Sequence, residues 1–162
     1  YRVTGMAASG VSAGGTLAMN LAYGGNSAIP VRFVFELTAP TYFVAEDWGS
    51  LMKSDNLGSE EEFYRMMTGK ELSAQEYRQE IKKISPTCLV GEDSVPTLIG
   101  YGLKDHCVPA DQKEYLIDAL EKNGVSYDYV EFPHSNHLLY GDLDKMQTFM
   151  DLSLEYCKKY FQ

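Results

Sequence analysis

The alternation of apolar and polar positions along the chain predicts strands and helices in turn. Short apolar runs with β-branched residues predict four strands, at 2–11, 31–37, 96–102 and 127–132. Segments with apolar residues at helical spacing lie between and after them, at 13–23, 110–123 and 142–161. Strands that alternate with helices of this length are typical of βαβ units in a largely parallel sheet. The pattern therefore predicts the α/β class, with the first strand buried.

The segment 41–86 interrupts this alternation. It holds aromatic residues first and then two charged helical stretches, at 60–67 and 74–84. Each stretch begins with a pair typical of a capping box, Ser59 with Glu62 and Ser73 with Glu76. Extra helices between the strands of an α/β sheet usually lie over the carboxyl edge of the sheet, where ligand sites are found. We therefore expect 41–86 to be a helical insertion over the site of a single domain, 1–162.

Composition and charge exclude several classes of partner. The chain has 162 residues, of which 44% are hydrophobic, and a net charge of −9. This composition can fill the core of one domain. The strong negative charge argues against nucleic acid or an anionic membrane surface as the main partner. The apolar runs are too short for a transmembrane helix.

The cysteines predict free thiols. Cys88, Cys107 and Cys157 are widely spaced and form no CxxC motif, which argues against a disulfide framework or a structural zinc site. Free thiols fit a reducing compartment, so we expect a cytoplasmic protein. The first residues show no basic stretch followed by an apolar one, as a signal peptide would. The chain starts with Tyr1 rather than Met, which leaves open what precedes it.

The most informative motif is Gly10-Val11-Ser12-Ala13-Gly14, followed by Gly15, between a predicted strand and a predicted helix. A serine on so tight a turn needs small residues two positions away on either side. The turn projects the Ser12 hydroxyl from the sheet and places it near a helix N-terminus, where a developing oxyanion is stabilised. We therefore predict Ser12 as a nucleophile and the Ala13 N–H as an oxyanion donor.

Two further loops carry the partners that such a serine needs. Asp105 follows the third strand, and His137 follows the fourth. A histidine takes the serine proton and returns it to the leaving group, while a carboxylate holds the imidazole in the required tautomer. Chain order supports the assignment, because Ser, Asp and His come in this order in one hydrolase class. His134, just past the strand, competes with His137 for the role of base.

Other chemistry is less well supported by the sequence. A metal site could be built from His106, Cys107, His134 and His137, but their spacing matches no usual ligand motif, and we predict neither metal nor organic cofactor. A substrate pocket is predicted from Val11 beside the serine and from three aromatic residues of the insertion, Tyr42, Phe43 and Trp48. Packing in the core explains the aromatic residues equally well.

With these motifs in order, the chain resembles the α/β-hydrolase superfamily. It is similar to the bacterial esterase and lipase group related to hormone-sensitive lipase and to acetyl-xylan or feruloyl esterases. The resemblance rests on the residues SAGG at 12–15, ISP at 84–86 and GLKDHCVP at 102–109, and it extends over nearly the whole chain. It implies that the chain corresponds to the C-terminal half of the fold, a mostly parallel sheet flanked by helices.

The resemblance also implies what the chain lacks. In the family, four strands and an HGGG-type loop with the second oxyanion donor precede the serine motif. Their absence here predicts an open edge on the first strand and little turnover, because the loss of one such donor costs about 10²–10³ in rate.

The sequence therefore predicts a serine carboxylesterase that cleaves small-molecule esters through an acyl-enzyme. Two alternatives stay open: a serine peptidase of the prolyl-oligopeptidase type, and an inactive fragment or non-enzymatic interaction module that pairs through its open strand edge. The sequence does not determine the oligomeric state.

Overall fold

The computed structural model describes residues 2–44, 48 and 58–162. In these residues it contains four strands: β1 (Met6–Val11), β2 (Val31–Leu37), β3 (Thr97–Gly102) and β4 (Tyr127–Phe132). It also contains six helices: α1 (Ala13–Tyr23), α2 (Glu60–Thr68), α3 (Ala74–Lys82), α4 (Pro86–Leu89), α5 (Gln112–Lys122) and α6 (Leu143–Tyr160). Two predicted strands, β2 and β4, have the predicted bounds, and so does helix α1.

The strands form one parallel sheet in the order β1-β2-β3-β4. This arrangement confirms the predicted α/β class. Because all four strands run in the same direction, their carboxyl ends lie along one edge, and each loop that follows a strand begins there. The loops that hold Ser12, Asp105 and His137 all start at this edge.

Strand β1 differs from its prediction in length and burial. It begins at Met6 rather than at residue 2, and most of its residues are only partly buried or exposed. The reason is its position, since within the described residues β1 pairs only with β2. By contrast, all six residues of β3, which lies between β2 and β4, are buried. The apolar composition of β1 does not reveal that it lies at an edge.

The two faces of the sheet bury different side chains because successive strand residues point in opposite directions. Phe33 and Leu98 face α6, where they pack with Phe149 and Tyr156. Val34, on the other face, joins a cluster with residues of α1, α3 and α5. Each fully buried side chain of this size contributes about 1.5–3 kcal/mol. The two layers hold the sheet in place and thereby fix its carboxyl edge.

The insertion between β2 and β3 forms the predicted helices α2 and α3. Both predicted capping boxes are present: Ser59 with Glu62 at α2 and Ser73 with Glu76 at α3. Pro86, which the sequence suggested as the end of the region, instead occupies the first turn of the short helix α4. Residues 45–47 and 49–57 of the insertion lie outside the described residues, and its role as a cover over the site stays a prediction. None of the helices in the described ranges has the length and apolar character needed to cross a membrane.

Candidate active site

Ser12 occupies a strained turn between β1 and α1. Its φ is 54° and its ψ is −129°, a conformation that non-glycine residues rarely adopt. Such a conformation costs about 1–3 kcal/mol and persists only where surrounding contacts impose it. The Ser12 N–H donates to the Leu37 carbonyl at 2.8 Å, and the Ser12 carbonyl accepts from Gly15 N–H at 2.9 Å. These bonds fix the turn to β2 on one side and to α1 on the other.

The glycines around Ser12 are required unequally. A Cβ at position 10 would lie 2.1 Å from the carbonyl carbon of Gly14, and one at position 15 would lie 2.6 Å from the Ala39 Cβ. A Cβ at position 14 would meet no atom of the described residues within 4 Å. The expectation that small residues are needed on both sides of the serine is therefore correct for Gly10 and wrong for Gly14. Gly10 packs against the backbone of residue 14, so a side chain is excluded at position 10 and not at position 14.

The turn leaves the Ser12 hydroxyl and the first N–H groups of α1 available for chemistry. The Ser12 side chain does not cap the helix, and the first turn holds no acidic residue. The N-terminus of a helix carries unpaired N–H groups and a partial positive charge. The Ala13 N–H, at the first position of α1, belongs to this group. This environment favours negative charge beside Ser12.

The structure brings Asp105 and His137 together. Asp105 Oδ2 lies 2.7 Å from His137 Nδ1, although the residues are 32 positions apart. The other carboxylate oxygen, Oδ1, accepts the backbone N–H groups of Cys107 at 2.8 Å and Val108 at 2.9 Å. The Asp105 side chain is fully buried, and that of His137 is 18% exposed. A carboxylate held in this way orients the imidazole. Because Nδ1 bonds the carboxylate, only Nε2 can act as a base.

The end of β2 connects the serine turn to the histidine loop. Leu37 accepts the Ser12 N–H, and the next residue, Thr38, donates its hydroxyl to the His137 carbonyl at 3.4 Å. Thr38 also has a positive φ of 52°. Ser12 and His137 are therefore anchored to two adjacent residues, the last residue of β2 and the one that follows it. Among the described residues, the Ser12 hydroxyl itself makes no hydrogen bond to His137; such bonds are often long before substrate binds.

His134, the competing histidine, has a different partner. Its Nδ1 lies 2.7 Å from Asp142 Oδ1, and its side chain is 72% exposed. Asp142 Oδ2 accepts the His134 N–H at 2.9 Å and the Ser135 hydroxyl at 2.6 Å. Burial alone raises the pKa of Asp142, but hydrogen bonds from Ser135 and His134 outweigh it, and the pKa lies below its usual value. The sequence analysis missed Asp142, whose only signal is its position before α6.

The predicted pocket residues lie in two kinds of surroundings. Val11 is 55% exposed at the carboxyl end of β1. Phe43 and Trp48 are buried in an aromatic cluster with Phe63, and ring centroids within it are about 6 Å apart. Tyr42 is half-buried, with its ring 5.1 Å from that of Tyr115. The structure thus gives the aromatic residues packing contacts, and their role in a substrate pocket stays a prediction.

Sequence reasoning also missed Glu36. Its side chain is fully buried on β2, and its Oε2 accepts the Ala39 N–H at 2.9 Å. Burial raises the pKa of Glu36 well above its usual value, because the charged form would lose its hydration. The signal in the sequence is one acidic residue in a mostly apolar run, VRFVFEL, whose other charged residue is Arg32. Glu36 directly precedes Leu37 and Thr38, the two residues that bond to the backbone of Ser12 and of His137.

Taken together, the parallel sheet, the strand–turn–helix serine and the buried aspartate bound to a histidine define the α/β-hydrolase class. The match of the family model confirms this class. The chain belongs to the prolyl oligopeptidase family, whose model matches residues 2–162. The fold predicted by resemblance is therefore correct. Its family is the one that the sequence analysis named among its alternatives.

Solved structures with the same fold include esterases and peptidases. A truncated carbohydrate esterase from gut microbiota superposes with a TM-score of 0.71 at 19% identity, over 95% of this chain and 59% of that one. Esterase B from Lactobacillus rhamnosis gives 0.64 at 18% identity, over 98% of this chain and 56% of that one. The acylaminoacyl peptidase of Pyrococcus horikoshii gives 0.68 at 16% identity, over 98% of this chain and 24% of that one.

These identities establish a common fold and leave the substrate open. The chain spans less than two thirds of each of these three structures. The curated proteins contain no sequence that matches the chain.

Proposed function

We propose that this chain carries the catalytic serine, histidine and aspartate of a carboxylesterase. The observation that supports the proposal most directly is the 2.7 Å contact between Asp105 Oδ2 and His137 Nδ1, made by loops that begin at the same sheet edge as Ser12. In this proposal Ser12 is the nucleophile, His137 the base, Asp105 the orienting carboxylate, and the turn at Ser12 a nucleophile elbow.

The reaction proceeds in two halves. The Ser12 hydroxyl attacks the ester carbonyl while His137 Nε2 takes its proton, and the Ala13 N–H donates to the oxyanion. Asp105 stabilises the imidazolium through Nδ1–H, and Nε2–H then protonates the departing alcohol. Water activated by the same nitrogen hydrolyses the acyl-enzyme and restores Ser12. The substrate is a small-molecule ester, and no metal or organic cofactor takes part.

The alternative with specific support is cleavage of a peptide bond. The family is named for prolyl oligopeptidase, and an acylaminoacyl peptidase shares the fold. The same three residues would then protonate an amine rather than an alcohol. The residues SAGG at 12–15, which begin with the elbow serine, favour the esterase in our proposal.

We expect low turnover from the isolated 162 residues. The proposal has one oxyanion donor among the described residues, the Ala13 N–H, and one missing donor costs about 10²–10³ in rate. Covalent labelling is therefore a better first test than turnover, because it needs only an activated serine.

The first test is to treat the chain with a fluorophosphonate and measure its intact mass. The proposal predicts one adduct on the native chain and none on Ser12→Ala. Circular dichroism of both proteins checks that the variant folds. A native chain that is folded by circular dichroism and stays unlabelled would overturn the assignment.

The second test separates esterase from peptidase. An aryl acetate is compared with an anilide of an acetylated amino acid, and kcat/KM is measured for both. The esterase proposal predicts the larger value for the ester and hydrolysis of the anilide no faster than by Ser12→Ala. Ser12-dependent cleavage of the anilide would favour the peptidase.

A further inference from the structure

A third side chain that can bind a metal lies beside the Asp105–His137 pair. The ligand atoms of Asp105, Cys107 and His137 all lie within 4.8 Å of one another. Local structure explains the proximity, because Asp105 Oδ1 accepts the N–H of Cys107 and so turns residue 107 back toward the carboxylate. Cys107 is exposed and carries a free thiol. A cation can therefore reach the cluster from solvent.

We infer that Asp105, Cys107 and His137 form an inhibitory site for Zn²⁺ and similar thiophilic divalent cations. The inference rests on the proposed function, since the site uses the proposed base. It differs from a resident cofactor, because the bound cation stops the reaction instead of serving it.

The donor set favours zinc over harder cations. Thiolate, imidazole and carboxylate are the three ligand types of protein zinc sites, whereas Mg²⁺ and Ca²⁺ prefer oxygen alone. Three protein ligands and one water complete a tetrahedral shell. Bond lengths of about 2.0–2.3 Å place the ligand atoms of such a shell about 3.3–3.6 Å apart. The Asp105 Oδ2–His137 Nδ1 distance of 2.7 Å must widen to this spacing. The longest separation, up to 4.8 Å, must shorten by about 1 Å, and the exposed Cys107 side chain can rotate to supply this change.

Binding removes the base, because the cation takes Nδ1 in place of the aspartate hydrogen bond. The ring proton then moves through solvent to Nε2, which can no longer accept the Ser12 proton. The Cys107 thiol releases one proton to solvent, and no oxidation or reduction occurs. A chelator should reverse the inhibition.

The experiment measures binding and inhibition separately on the full chain. Cd²⁺ is titrated while thiolate-to-metal charge-transfer absorption is recorded, and Zn²⁺ binding is measured by calorimetry. Cys107→Ser is the test variant, and Cys88→Ser, which removes another exposed thiol, is the matched control. In parallel, the rate of fluorophosphonate labelling at Ser12 is measured with and without Zn²⁺, and again after EDTA.

We expect one Cd²⁺ and the absorption band in the native chain and in Cys88→Ser. In Cys107→Ser the band should disappear and the Zn²⁺ affinity fall by at least about 100-fold, since even changes outside the ligand shell cost 10–100-fold. Zn²⁺ should slow fluorophosphonate labelling of the native chain and of Cys88→Ser in proportion to site occupancy. It should slow labelling of Cys107→Ser far less. Circular dichroism and a Cys107→Ala variant check that any loss comes from the missing thiol.

Two results would overturn the inference: unchanged Zn²⁺ affinity in Cys107→Ser, or loss of the absorption band in Cys88→Ser instead. The outcomes also separate this inference from the proposed function. If Cys107 binds the cation but metal-free chain is never labelled at Ser12, the metal site stands and the proposed function fails. If Ser12 is labelled and Zn²⁺ neither binds nor slows it, the proposed function stands and the inference fails.

Discussion

Two histidines of this chain bind a buried aspartate at the same distance, 2.7 Å, in different surroundings. His137 and Asp105 come from loops after different strands, and 18% of the histidine side chain is exposed. His134 and Asp142 belong to one loop, eight positions apart, and 72% of that histidine side chain is exposed. The contact with aspartate therefore does not by itself identify the proposed base. His137 differs from His134 in that its backbone carbonyl accepts from Thr38, the residue after the one that accepts the Ser12 N–H.

The two pairs have different structural tasks. The long-range pair joins two loops and connects to the serine turn through the end of β2. The local pair shapes the single loop that carries His137, since Asp142 accepts bonds from the His134 backbone, the His134 ring and Ser135. This comparison predicts that one pair governs rate and the other governs stability.

The largest difference is expected between the two histidines. His137→Gln should reduce the rate of Ser12 labelling, and of any ester hydrolysis, by about 10⁴–10⁶, the range found when a triad histidine is removed. His134→Gln should change either rate by no more than about threefold, because the ring nitrogen bonds Asp142 of the same loop rather than Asp105. Labelling kinetics followed by intact mass measure both. Equal losses in the two variants would show that the comparison is wrong.

Substitutions of the two aspartates should differ nearly as much in their effect on the rate. Asp105→Asn is expected to lower the rate by about 10⁴, because the amide favours the wrong tautomer of His137. Asp142→Asn should leave the rate near that of the native chain and lower the melting temperature, because it replaces a charged acceptor of three hydrogen bonds. Rates and thermal unfolding are measured on the same preparations. A rate loss in Asp142→Asn at a temperature where the variant is folded would contradict the division of tasks.

The local pair also predicts a dependence of stability on pH. The pKa of Asp142 in the folded chain lies below its usual value of 3.8, so its stabilising effect is complete above that value. The stabilising effect is lost as the pH falls through the pKa of Asp142 in the folded chain. The reason is that the unfolded chain has the higher pKa and binds the proton first. The stability difference between the native chain and Asp142→Asn should therefore shrink in acid. Urea unfolding at a series of pH values measures it, and a difference that grows in acid would refute the assignment.

Glu36 provides the opposite case, a buried carboxyl group without a histidine partner. Its pKa is raised above the usual 4.5, so folding loses free energy as the pH rises from that value, until the folded group also ionises. Glu36→Gln removes this dependence. We expect the variant to gain stability relative to the native chain as the pH rises above 4.5. This is the smallest predicted effect, and a constant difference across this range would contradict it.

Much of the fold could be predicted from the sequence, because local patterns specify it. The alternation of short apolar runs with helical spacing gave the bounds of β2, β4 and α1, and the Ser-x-x-Glu pairs gave the starts of α2 and α3. The candidate serine was equally accessible, since a strand, a tight small-residue turn and a helix follow one another in sequence. These features depend on neighbours within a few positions.

What could not be predicted depends on contacts between distant residues. The half-exposed state of β1 follows from its place in the strand order, which its own residues do not encode. Glycine is required at position 10 and not at position 14, because a side chain at position 10 would clash with the Gly14 backbone. The choice between two histidines, likewise, depends on the partner that each loop meets, and the position of Asp142 before α6 does not reveal its bond to His134. Glu36 does have a signal in the sequence, because it is the one acidic residue in a mostly apolar strand.

The anchoring of Ser12 and His137 to Leu37 and Thr38 has a consequence for insertions into the chain. Both positions are set from the end of β2, so the number of residues between β3 and β4 does not determine them. Added residues at the exposed turn between α5 and β4, where Gly124 has a φ of 67°, would lengthen the connection without moving either anchor. The length of this connection can therefore vary while the geometry at the sheet edge is kept.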